Sequence, residues 1–109
     1  MKLDLDCVRK IMLAVEDKPL NEILNPEKLH RLLPEFSEDE ITYCCLKLDE
    51  AGLLEIVSIK LMRQNHPGIK SVNDLTFQGH QFLENIRDDS VYFEVKKKAK
   101  SVGSFALLA

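Results

Sequence analysis

The chain has 109 residues, 45% of them apolar and 30% charged, with a formal charge of −3 at neutral pH. That length suits one ordinary core rather than two domains, and the apolar fraction excludes a disordered chain. No run approaches the roughly 18 uninterrupted apolar residues of a membrane span. The N-terminus also lacks a basic stretch followed by an apolar one, so a cytoplasmic protein with its start at or near Met1 is expected.

Asp4 is placed to cap a first helix in which Leu5, Val8, Ile11, Met12 and Val15 recur at helical spacing. It should stop near Asp17 and Lys18, because Pro19 cannot continue it. Leu20 to Leu24 reads as a connector with at most a short piece of strand. Asn25, Pro26 and Glu27 then supply a cap, a proline at the first helical position and an acidic first turn. The second helix carries Leu29, Leu32 and Leu33 and is halted by Pro34. Ser37 and Glu40 form a capping-box signature for a third helix from Glu38. Its inward positions are Ile41, Cys44 or Cys45, Leu48 and Ala51, and Gly52 supplies the left-handed closing residue.

Leu53 to Leu61, rich in Leu, Ile and Val, predicts a strand. Arg63 to Gly68 is polar and ends in a Pro67-Gly68 turn signal, and Ile69 to Leu75 returns as the partner strand. Thr76 caps a fourth helix with Phe77, Phe82, Leu83 and Ile86 on its apolar side, and Gly79 within it suits close packing. Asp88, Asp89 and Ser90 form a break. Val91, Val95, Ala99 and Val102 then predict a fifth, amphipathic helix ending near Gly103, with Lys96, Lys97, Lys98 and Lys100 outside. The expected fold is α+β and mostly helical: a winged helix-turn-helix with a two-stranded wing over residues 1–90. Residues 91–109 would add a helix and tail packed on the same domain or on a dimer partner.

Three stretches carry a family resemblance. They are Met1 to Arg9, Tyr43 to Leu54 with its Ala51-Gly52-Leu53 ending, and Leu75 to Asp89 after the wing. Together they resemble the YjcQ-type family of small, often prophage-encoded bacterial winged-helix proteins of unknown function. The resemblance covers nearly the whole chain and implies a phage or mobile-element setting, but transfers no activity and no functional residues. Cys44 stands where relatives tend to have histidine after the tyrosine.

Helix-turn-helix proteins lay the outer face of their second helix in the major groove. Here that helix opens with Glu38, Asp39 and Glu40, which phosphate repels, leaving Thr42, Tyr43 and Lys47 as base readers. The three acids also suit the positive end of the helix dipole, which requires no ligand. The wing is more favourable, since Lys60, Arg63, Gln64, Asn65, His66 and Lys70 surround a turn able to reach phosphate or the minor groove. An ordinary solvated hairpin tip explains the same residues equally well. Tyr43 and Leu46, and Tyr92 and Phe93 on the terminal helix, are candidate protein contacts, the latter pair for a homodimer.

Cys7, Cys44 and Cys45 are odd in number, and His30, His66 and His80 are scattered. They suit neither a disulfide framework nor a metal site, so reduced thiols and no cofactor are expected. A nucleophile built from Cys44 with His30 or His80 would need an orienting third group, which nothing nearby in sequence supplies, so an enzyme is not expected. The leading expectation is a transcriptional accessory factor binding double-stranded DNA. The alternative is an interaction module that contacts a host or phage protein without DNA.

Overall fold

The computed structural model describes residues 1–88, 92–94 and 97. Helix α1 (Leu5–Asp17) starts where the Asp4 carboxylate accepts from the amides of Asp6 (2.9 Å) and Cys7 (3.3 Å), and ends as Lys18 turns extended before Pro19. The short α2 (Pro26–Leu32) is capped by Asn25, whose side chain accepts from the Lys28 amide at 2.8 Å. In α3 (Glu38–Glu50) both halves of the Ser37/Glu40 capping box form, each at 3.1 Å, and Gly52 with φ +75 reverses the chain. Strands β1 (Leu54–Ile59) and β2 (Gly68–Leu75) pair antiparallel, and α4 (Phe77–Arg87) follows from the Thr76 cap.

The connector between α1 and α2 does contribute to the sheet. Leu24 exchanges two backbone hydrogen bonds with Val72 (3.2 and 2.7 Å), an isolated antiparallel bridge on the edge of β2 away from β1. The β1 register runs from Leu54 opposite Leu75 to Ile59 opposite Gly68, skipping Asn73 and Lys70 on β2. Those two skipped residues are bulges, which turn a side chain out of the regular alternation. The architecture is therefore α+β, three helices followed by a two-stranded hairpin and a fourth helix, an order compatible with a winged-helix-like fold.

One core holds these elements. The inward stripe of α1 meets Ile41, Cys44, Cys45 and Leu48 of α3, then Leu54, Val72 and Leu75 at the base of the hairpin, and Phe82, Leu83 and Ile86 of α4. From the first half of α1, Arg9 donates to the carbonyls of Ile86 and Arg87 (both 2.9 Å), so a side chain of α1 satisfies the free carbonyls that end α4. Among the described residues no helix is long and apolar enough to cross a membrane.

Several expectations are corrected. The reversal is not at Pro67-Gly68: Gly68 is already the first rung of β2, and the left-handed residue of the loop is Arg63 at φ 68. Gly68 serves space instead, because a Cβ there would lie 2.6 Å from Leu61 Cδ1. Phe77 is 74% exposed, since Gly79, Phe82, Leu83 and Ile86 share one face of α4 and a residue two before Gly79 falls on the other. In the two-turn α2 only Pro26 and Leu29 are buried, leaving Leu32 outside. Cys44 and Cys45 are both buried, not one or the other, because α1 also packs against Cys44 through Cys7. Of the expected fifth helix, residues 92–94 and 97 are described and helical, whereas Val91, Val95, Ala99, Val102 and the Lys96, Lys98 and Lys100 run lie outside the described residues, as do Asp89 and Ser90 of the break.

Candidate nucleic-acid interface

The third helix positions its four named residues differently from the hairpin. Ile41, Cys44, Cys45 and Leu48 bind α3 to the core, which leaves Thr42, Tyr43, Leu46 and Lys47 half-buried along its flank. Lys47 is engaged: its ammonium lies 3.0 Å from Glu50 and 5.6 Å from the centre of the Tyr43 ring, and Glu50 holds its pKa above the ordinary lysine range. With Glu38 and Asp39 exposed at the start of the helix, the outer face of α3 is acidic.

The hairpin has the opposite character. Lys60, Arg63, Gln64, Asn65, His66 and Lys70 are all exposed, and no Asp or Glu occurs from Ile56 to Asn73. Lys60, Arg63 and Lys70 make no ion pair among the described residues. Several helical cations behave otherwise: Lys10 pairs with Glu35, Arg31 with Glu27, Lys47 with Glu50, and Arg87 with both Glu16 and Glu84. Lys70 is one of the bulged residues, so its side chain leaves the ladder alternation. His66 holds its Nδ1 2.8 Å from the carbonyl of Pro67.

A cleft of about 350 Å³ separates the hairpin from the starts of α2 and α3. It brings together Thr42, Gln64, His66 and Lys70 of the sequence-named residues and sets them against Glu38 and Asp39. Tyr43, Leu46 and Lys47 lie off it along α3, and Lys60, Arg63 and Asn65 lie off it on the hairpin. Its walls are thus acidic on the helix side and basic on the hairpin side.

The two aromatic residues of the terminal segment separate. Phe93 is 64% exposed, whereas Tyr92 is 2% exposed and belongs to the chain's own core. The Arg9 guanidinium sits 4.4 Å over the Tyr92 ring, and the Tyr92 hydroxyl donates to the Asp6 carboxylate. Burial, reinforced by that carboxylate, pushes the Tyr92 phenol well above its ordinary range.

Two features were missed from sequence. Met62, 90% exposed, stands beside Arg63 in the loop, and the start of α2 contributes its cap Asn25 and Glu27 to the cleft. Met62 falls between a predicted strand end and a polar loop, so no periodicity marks it.

The cysteines lie in the helical core. The Cys7 thiol, donating to Cys44 and buried, is pushed far above the ordinary range, and burial takes Cys45 up to about 12. Receiving that hydrogen bond lowers Cys44. His30 is committed to the Phe36 carbonyl at 2.7 Å, and His80 is exposed on α4.

What fold and geometry define is a small α+β protein with a basic hairpin standing beside an acidic helix. The chain belongs to the family described as "Hypothetical protein (DUF2513)", whose model matches residues 2–106. It is similar to an "Uncharacterized protein" of Haemophilus influenzae, 30% identical over 105 residues that cover 93% of this chain and 80% of the relative. Neither description names an activity. No solved structure matches.

Proposed function

We propose that this protein is a winged-helix DNA-binding accessory factor of phage or mobile-element origin, as the YjcQ resemblance implies, working in the cytoplasm and contacting duplex DNA through its hairpin. The observation that carries the reading is the hairpin's free charge: Lys60, Arg63 and Lys70 are exposed, carry no ion pair among the described residues, and lie in a stretch from Ile56 to Asn73 without Asp or Glu. The single-residue bridge of Leu24 on β2 favours the winged-helix reading, because it sets the α1–α2 connector beside the hairpin as a third strand. Backbone contact made this way needs no base reading by α3, whose carboxylates disfavour a close approach to phosphate.

A titration of generic duplex DNA against salt tests this. Three phosphate contacts predict a slope of log affinity on log salt of about −2.7, and the Lys60→Gln/Arg63→Gln/Lys70→Gln variant should bring it close to zero. A wild-type protein that binds no duplex at low salt, or binds with a flat slope, refutes the reading.

One observation favours a second reading, an interaction module for a host or phage protein. The acidic start of α3, the Lys47–Glu50 pair and the half-buried Tyr43 and Leu46 make a face better suited to a protein than to phosphate. The exposed Phe93 suits the same role or a homodimer. This reading predicts that Tyr43→Ala and Leu46→Ala abolish partner capture while the hairpin variants leave it intact.

A further inference from the structure

Resting on the DNA reading above, we propose that the hairpin tip enters the minor groove and that Met62 wedges between neighbouring base pairs, so that binding bends the duplex.

The geometry begins with Gly68. Because it lacks a Cβ, Leu61 folds across the hairpin onto it, with Leu61 Cδ1 only 2.6 Å from where that Cβ would stand. Leu61 is therefore half-buried, and Met62, the next residue, is 90% exposed, more than any other large apolar side chain described. The chain reverses immediately after it at Arg63, whose φ of 68 is costly for a residue with a Cβ. Met62 and Arg63 thus share one turn of the 60–67 loop, followed by the exposed Gln64 and Asn65.

That set of side chains matches one chemistry. Arg, Asn and Gln are the donors that read the acceptor-lined minor groove, and an unbranched apolar side chain beside them is what partly unstacks a base step and kinks the duplex by roughly 20–90°. A narrow minor groove also concentrates negative potential, which favours an unpaired arginine. A phosphate-only contact would have no use for a fully presented apolar side chain in the loop.

The test uses the full chain and a duplex whose central TA step lies within an uninterrupted run of A·T pairs long enough to bind netropsin, with a donor and an acceptor fluorophore at its ends. Wild-type protein should raise energy transfer on saturation, and netropsin, a minor-groove ligand, should displace it. Met62→Ala should keep affinity within about threefold yet lose the rise in transfer, whereas Arg63→Ala should weaken binding roughly tenfold. Because Met62 is exposed, an unchanged melting temperature shows that Met62→Ala is folded. Saturated binding without a change in transfer, bending retained by Met62→Ala, or indifference to netropsin each overturns the wedge while leaving DNA binding in place. Absence of any duplex binding overturns the parent reading, and the wedge with it.

Discussion

Replacing Gly79 by alanine normally helps a helix, by up to about 1 kcal/mol of propensity. Here the sign should reverse. Gly79 faces the junction between α3 and β1, and a Cβ on it would lie 2.0 Å from the carbonyl oxygen of Leu53 and 3.3 Å from Leu75 Cβ. The obstacle is backbone, so no side-chain rotation relieves it, and α4 must retreat by about 1.4 Å to regain an ordinary 3.4 Å contact. The same carbonyl accepts from the Thr76 amide at 3.1 Å, and the Thr76 hydroxyl donates to the Gly52 carbonyl at 2.6 Å. Retreat therefore strains two hydrogen bonds worth about 1 kcal/mol each. It also loosens Phe82, Leu83 and Ile86 against the core, an overpacking cost of about 1–3 kcal/mol. Less the propensity gain, Gly79→Ala should destabilise by about 2–4 kcal/mol, read as a lower urea midpoint by circular dichroism and a melting temperature reduced by roughly 10 °C. Equal or greater stability would refute the claim that α4 is seated by backbone contact at this glycine.

Charges on α3 and α1 act on binding and stability alike. Glu38→Gln with Asp39→Asn should raise affinity for generic duplex about fourfold at low salt, since each carboxylate costs about 0.4 kcal/mol against a phosphate about 10 Å away in water. The same pair should lower stability by a few tenths to about 1 kcal/mol through loss of charge at the positive end of α3, and a decrease in affinity would contradict the repulsion argument. Arg87 holds the Glu16 carboxyl below its ordinary value of 4.5. Its folded pKa is depressed, so the stability that Glu16 contributes is present above about pH 4.5 and lost as pH falls further. Urea midpoints of wild type and Glu16→Gln should differ at pH 7 and converge in acid; a gap independent of pH would show that the ion pair is not its source.

The parts of this fold governed by local chemistry were legible in the sequence. All four helix starts follow from a cap side chain and its immediate neighbours, and the closing Gly52 follows from its left-handed requirement. Gly79 was also readable as a packing glycine, although the oxygen it approaches was not. What escaped depends on partners distant along the chain. The turn was misplaced because Pro67-Gly68 carries a strong local turn signal, while the actual reason for Gly68 is Leu61 lying across the hairpin. Tyr92 looked like a surface aromatic because Asp6 and Arg9, which bury and bond it, are more than 80 residues away. For the candidate site the composition of the hairpin was plain, but not which cations stay unpaired. Lys47 reads as a base contact until Glu50 is seen beside it.

This division of roles also decides which variants separate binding from folding. The base of the hairpin is anchored by Leu54, Val72 and Leu75 in the core, whereas Lys60, Met62, Arg63, Gln64, Asn65 and His66 are exposed. Surface substitutions of that kind usually change stability by less than about 0.5 kcal/mol, so a loss of binding there reports on the ligand. On α3 binding and folding are not separated in this way. Thr42, Tyr43, Leu46 and Lys47 share a helix with Ile41, Cys44, Cys45 and Leu48, all of them buried, and are themselves half-buried. An α3 variant that loses a ligand is informative only beside an unchanged melting curve, and for that reason the hairpin is the place where the DNA reading meets its cleanest challenge.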